Sequence, residues 1–331
     1  MAEEDNESGD YTRFGIPDTP RSTVTTVIGK TRTWAGLQWK EKLFLVFSLV
    51  NILAAIGLTT YRLVDVARTD TNNKDFTFTI LIIVNAVFVG FYTFHGVLRE
   101  RKYELYVQAL AILLILVYCI VEYVVNTENR NTVKLVRLII ACVAAPPNIV
   151  LALLVARDFG ELEFRIAGAS ENLQKIYKDA AIFSCWLKFD LQVTISLVIL
   201  ALQDGTSIGM LQKVTLGVGI PFTLFWGIFG WFMLRLELKW AVPIFVVLGL
   251  GKPAYYIFKF ITEYDNIKES SDSASVLTYC VLVCGAIASL VWVFLMVELY
   301  IVVRNFGQGL KERGKVTLQG FSITRILGVP N

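Results

Sequence analysis

Residues Val276–Val303 read VLTYCVLVCGAIASLVWVFLMVELYIVV, twenty-eight residues with one carboxylate, Glu298, and no lysine or arginine. About 20 apolar residues in a helix cross the ~30 Å hydrocarbon layer of a bilayer, so this stretch is long enough to span one. Seven further stretches qualify: Leu43–Tyr61, Phe76–Val97, Tyr103–Val125, Val136–Val155, Ala180–Leu202, Val214–Leu234 and Ala241–Ile261. They predict an all-α, polytopic transmembrane helix bundle of about eight spans. A β-barrel would instead show alternating segments of ~10 residues, and the sequence has none.

Composition agrees. The 331 residues are 55% hydrophobic and 18% charged, with a mean hydropathy of +0.58. A soluble domain of this size needs more polar surface, so the excess apolar area must face lipid. The organisation follows: an N-terminal tail over 1–42, mostly disordered, a transmembrane domain over 43–303, and a C-terminal tail over 304–331. The first ten residues, MAEEDNESGD, are acidic and lead into no early apolar core, which is unlike a cleaved signal peptide.

Lysines and arginines near the span ends set orientation. Eighteen flank the side that carries both tails and eight flank the other. Both termini are therefore expected in the cytosol.

Several function classes lose support. The net charge of +3 is too mild for a nucleic-acid binder. The five cysteines, Cys119, Cys142, Cys185, Cys280 and Cys284, all lie in apolar stretches with no metal-ligand spacing, so neither a disulfide framework nor a metal site is expected. Gly205–Thr206–Ser207–Ile208–Gly209 matches the G-x-S-x-G nucleophile pattern, but it falls in a short outer loop. The sole histidine, His95, lies at the opposite end of its span. No enzyme and no cofactor is expected. The markers of rhodopsin-type receptors are also missing. In the N-terminal tail Tyr11 and Phe14 fit a tyrosine-based sorting signal, which favours the plasma membrane or endosomal system over the endoplasmic reticulum.

Ionisable groups inside a span are functional candidates, because lipid offers them no solvation. In span 5, Ser184, Lys188, Gln192 and Ser196 recur every four residues and form a polar stripe. Lys188 and Asp190 are two apart, about 200° round the helix, so each needs a partner on another helix. In span 7, Lys252 sits among Gly249, Gly251 and Pro253. A central lysine costs about 2.5–3.5 kcal/mol on insertion scales, and each Leu, Ile, Phe or Val returns about 0.3–0.6. Span 7 is therefore the marginal member, and a broken helix is expected there. Asp190 or Glu298 is the candidate counter-charge. Pro146 and Pro147 predict a second break in span 4, where Asn148 could satisfy a freed carbonyl. Asn51 and Asn85 read as hydrogen-bonding links between helices, and the glycines of span 6 as points of close packing.

Two functions fit this pattern. One is a permeation protein for an ion or small polar solute, with Lys188, Asp190, Gln192, Lys252 and Glu298 lining a site between spans 5 and 7. The breaks at Pro146–Pro147 and Gly249–Pro253 would give it mobility. The other is a receptor-like or trafficking protein that transports nothing, whose buried charges only fix helix packing. The bilayer is a partner in both, with a polar or ionic ligand in the first. Oligomeric state is open.

Overall fold

The structure is a computed structural model that describes residues 23–26, 29–69, 74–125, 132–159, 171–200, 210–269 and 276–307. Tyr11, Phe14 and the 205–209 motif lie outside the described residues. Two short strands, β1 (Thr23–Thr26) and β2 (Gly29–Arg32), pair antiparallel with Thr23 opposite Arg32, so part of the N-terminal tail has a backbone ladder of its own. A 3-10 turn at Trp34–Gly36 leads from the hairpin into the helices.

The rest is helical, as a chain in lipid requires, because only intrahelical hydrogen bonds can satisfy its backbone there. The helices are α1 (Trp39–Thr69), α2 (Lys74–Leu98), α3 (Lys102–Val125), α4 (Thr132–Arg157), α5 (Glu171–Leu200), α6 (Met210–Leu236), α7 (Ala241–Gly249), α8 (Gly251–Glu269) and α9 (Val276–Arg304). Counting α7 and α8 as one span, eight helical segments are long and apolar enough to cross a membrane. The protein is a multi-pass membrane protein. Trp34, Trp39 and Trp240 are 55%, 70% and 64% exposed at the end where α1 begins and α7 follows α6. Indoles prefer the level of the lipid headgroups, and these three mark that level.

Both expected breaks are milder than the sequence suggests. Helix α4 runs unbroken through Pro146 and Pro147. The prolines remove two backbone donors, but packing against α1 and α3 holds the helix on course. Asn148 does not serve the freed carbonyls. Its Oδ1 accepts from Ser48 Oγ at 3.1 Å and Gln108 Nε2 at 3.2 Å, tying α4 to α1 and α3.

Span 7, Ala241–Asp265, is long and apolar enough to cross as one continuous rod. Only Leu250 separates α7 from α8, and its φ of −63° and ψ of −22° are helical. Its N–H donates to Val246 and Val247, and Ala254 donates back to Leu250, so the rod tightens for one turn without parting. Pro253 falls in the first turn of α8, where a missing N–H costs least.

The helices form two sets. In the first, α1 packs on α2 and α4, and α3 on α2 and α4; in the second, α5 packs on α6 and α9, and α8 on α9. The sets meet where α5 lies against α2 and α3. Helix α5 is the central post: 72% of its apolar window is buried, against 22–50% for the other seven spans.

Glycine permits one close approach beside it. A Cβ on Gly230 of α6 would lie 2.6 Å from Phe245 Cε2 and 3.2 Å from Leu187 Cδ1. Phe245 is fully buried and stacked on Trp226, with ring centroids 4.2 Å apart, and has nowhere to retreat. Gly230→Ala is therefore expected to destabilise by about 1–3 kcal/mol through overpacking. Thermal unfolding of the detergent-solubilised protein measures it. Gly217→Ala, with nothing within 4 Å of the added carbon, is the matched control and should not lower the midpoint.

Candidate functional site

The polar residues of α5 divide into two rows on opposite sides of the helix, as the 200° between Lys188 and Asp190 requires. The first row faces α2 and α3. Lys188 Nζ donates to Glu104 Oε1 at 2.5 Å, and His95 Nδ1 lies 2.5 Å from the other carboxylate oxygen. Glu104 is buried and Lys188 is partly exposed. Phe91 stacks on the His95 ring at 5.2 Å, with Lys188 Nζ 5.5 Å from its centroid. One carboxylate thus holds a cation from α5 and an imidazole from α2.

Farther along the same row, Gln192 Nε2 donates to Asn85 Oδ1 at 2.7 Å. Asn85 Nδ2 in turn donates to Leu81 O at 2.9 Å and Ser196 Oγ at 3.1 Å.

The second row faces α8. Lys252 Nζ donates to Asp190 Oδ2, and both side chains are buried, at 3% and 1% exposure. Trp226 of α6 covers the ammonium, its ring centroid 4.0 Å from Nζ. The indole is itself fixed by donating from Nε1 to Phe245 O at 3.0 Å. Gly249 lets that ring approach, since a Cβ there would lie 3.1 Å from Trp226 Cζ2. One turn on, Thr194 and Tyr256 share a hydrogen bond of 2.7 Å. A cation–π contact and a buried partner together seal Lys252 from lipid and solvent.

The expected polar site therefore does not assemble. Lys188 and Asp190 lie in separate ion pairs on opposite sides of α5. Gln192 belongs to a neutral network, and Glu298, partly buried on α9 near Asp179, joins neither pair. Asp190, not Glu298, is the partner of Lys252. Glu104 and Trp226 carry no signal in the sequence, and His95 stands out there only as its sole histidine. Glu104 sits in the first turn of α3, where it reads as an ordinary flanking charge, and only its depth relative to Lys188 could have flagged it.

Neither of two cavities among the described residues is lined by Lys188, Asp190 or Lys252. The larger, of about 500 Å³, lies in the seam between the two helix sets, enclosed by α2, α3, α5 and α9. Its wall is aliphatic and aromatic apart from the Asn85–Gln192–Ser196 network, two tyrosines and two cysteines, and it contains no Asp, Glu, Lys, Arg or His. Three of its lining residues, Val117, Tyr279 and Val283, are 50%, 54% and 60% exposed on the outer surface of the helices, so the cavity opens toward lipid. The smaller, of about 120 Å³, lies inside the first helix set. Asn51 lines it with Nδ2 unpartnered, so this asparagine does not tie helices together through that nitrogen as expected. No cluster of three His, Cys, Asp or Glu suited to a metal ion occurs among the described residues.

No curated protein and no solved structure matches the chain. Residues 28–157 and 167–301, most of the sequence, match a family described as a domain of unknown function, DUF7789. The interruption in that match falls between α4 and α5, where the first helix set gives way to the second. The chain belongs to the DUF7789 family.

Proposed function

We propose that the protein is a receptor-like, non-catalytic membrane protein that transports nothing and binds an apolar molecule in the seam cavity. The observation that carries this reading is the division of labour around α5. The charged residues of α5 are held in interhelical ion pairs, one of them sealed, while the seam cavity is uncharged and opens to lipid. An ion or polar solute needs a hydrated or charged path at membrane depth. The cavity offers an apolar wall with a few polar groups, as small-molecule sites commonly do, and its size lies within their usual range of roughly 300–1,000 Å³. The permeation reading thereby loses its support. The eighteen-to-eight asymmetry of basic residues favours cytosolic termini. With the Tyr11–Phe14 signal, it supports residence in the plasma membrane or endosomes.

Two measurements test the reading. Protein purified in mild detergent is expected to carry bound neutral lipid, counted by mass spectrometry. Ala111→Phe should lower that occupancy several-fold by filling the cavity from α3, because Ala111 is 1% exposed and lines it. Proteoliposomes should show no ion or solute flux above protein-free vesicles. A flux that disappears in Lys252→Met, or lipid occupancy indifferent to Ala111→Phe, would overturn the proposal.

A further inference from the structure

The seam cavity occupies one half of the bilayer's depth. Helix directions show this. A tight turn at Arg99–Arg101 joins α2 to α3. Lys188 of α5 meets Glu104 beside that turn, while Gln192, one helical turn on, meets Asn85, so α5 runs away from it. Helix α9 runs back toward it, with Cys284 Sγ donating to Val193 O at 3.8 Å and Asn305 Nδ2 to Asp179 Oδ2 at 3.1 Å. The deepest lining residues, Asn85, Ala111, Phe189 and Ile287, stand near the middles of the four spans. The outermost, Val121, Leu200 and Tyr279, stand at or next to the span ends farther from the α2–α3 turn. In the nearer half the seam is fastened by Glu104, Lys188 and His95 instead.

We infer that the cavity takes one acyl chain of a bilayer lipid from the leaflet away from the α2–α3 turn. The chain stands upright with its methyl end at mid-bilayer and its headgroup outside; this rests on the cavity being a site for apolar molecules. Length is the first reason. Phe189 to Leu200 is about 16 Å of helical rise and Tyr279 to Ile287 about 12 Å. One leaflet contributes about 15 Å of the ~30 Å hydrocarbon layer, so the cavity is as deep as a leaflet's chains are long. Width is the second. A volume of about 500 Å³ over that depth is a column of about 33 Å² mean cross-section, which admits one hydrocarbon chain and not two abreast. Charge is the third, because the wall holds no ionic group to offset a phosphate or ammonium, and the headgroup stays at the surface. Entry needs no departure from the membrane, since the mouth between Val117 on α3 and Val283 on α9 faces lipid along the side of the column.

Photolabelling of the wild-type protein in proteoliposomes tests this with two phosphatidylcholines. One carries a diazirine beside the ester of a chain, the other at the methyl end, and the crosslinked residues are located by mass spectrometry. The ester-end probe is expected to mark Val121, Leu200 and Tyr279 several-fold more than Asn85, Phe189 and Ile287, and the methyl-end probe to reverse that ratio. Methyl-end crosslinks at Val121 with ester-end crosslinks at Phe189 would place the lipid in the other leaflet. That result overturns the inference while leaving the cavity a lipid site. Both probes marking the same residues would overturn the upright chain. Cholesterol added to the vesicles should leave both patterns in place, and their loss would assign the column to a sterol. Labelling that avoids all six residues would overturn the cavity as a lipid site as well.

Discussion

Lys252→Met is expected to lower stability by about 3–5 kcal/mol, the usual consequence of removing one partner from a buried ion pair. The methionine fills nearly the same volume, so the loss comes from Asp190. That carboxylate is 1% exposed, its Oδ1 already lacks a hydrogen bond, and it would be left with no cation. The Trp226 ring would also lose the ammonium that lies 4.0 Å from its centroid. The double variant Lys252→Met/Asp190→Leu should recover to within about 1 kcal/mol of wild type, because an apolar pair of similar volume avoids burying either charge. Thermal melting by fluorescence-detected size exclusion, run as a double-mutant cycle, reads both effects. A single variant as stable as wild type would mean that Asp190 is not held as described. The double variant also bears on function, since a protein that needs Lys252 only for packing should keep its ligand occupancy once the pair is replaced.

The second large effect belongs to Glu104. Its carboxylate accepts from α5 and meets His95 of α2, so it fastens the two helix sets together. Hydrogen bonds to charged groups contribute about 1.5–3 kcal/mol each, so Glu104→Ala should cost about 2–4 kcal/mol. The lower end is set by Lys188, which is 18% exposed and can turn its ammonium toward the headgroups. Glu104→Gln keeps one acceptor and should cost about half as much. Lys188→Met should cost more than Glu104→Gln, because it strands a carboxylate that is 2% exposed with only the imidazole beside it. Equal melting points across all three variants would remove this cluster from the list of features that hold the sets together.

Much of this architecture is legible in the residues because lipid simplifies the problem. A run such as Val276–Val303 has one stable conformation in hydrocarbon, and the eight spans follow from length and apolarity. The stripe Ser184–Lys188–Gln192–Ser196 likewise announces that α5 faces other helices on that side. Its partners are hidden, because hydropathy says nothing about which spans are neighbours. Asn85 and Glu104 meet α5 only through tertiary packing, with sequence separations of 107 and 84 residues. The prolines mislead for a related reason. Their local effect is real, but the packing around α4 and the position of Pro253 in a first turn decide what becomes of it. The cavity leaves no sequence signal, since a residue that lines a void is as apolar as one that fills it.

The pairing of Asp190 with Lys252 also bears on how the chain is made. Spans are delivered to the membrane in order, and 62 residues separate the two partners. At synthesis rates of about 5–20 residues per second, α5 waits roughly 3–12 seconds before Lys252 is even polymerised. Glu104 has by then been in place since α3, so Lys188 can dock at once while Asp190 cannot. During that interval α5 presents an uncompensated carboxylate to lipid on the side opposite its settled neighbours. The nascent protein therefore passes through a stage in which the first five spans are joined while Asp190 still waits for span 7. Cellular factors that shelter polar spans would act at that stage.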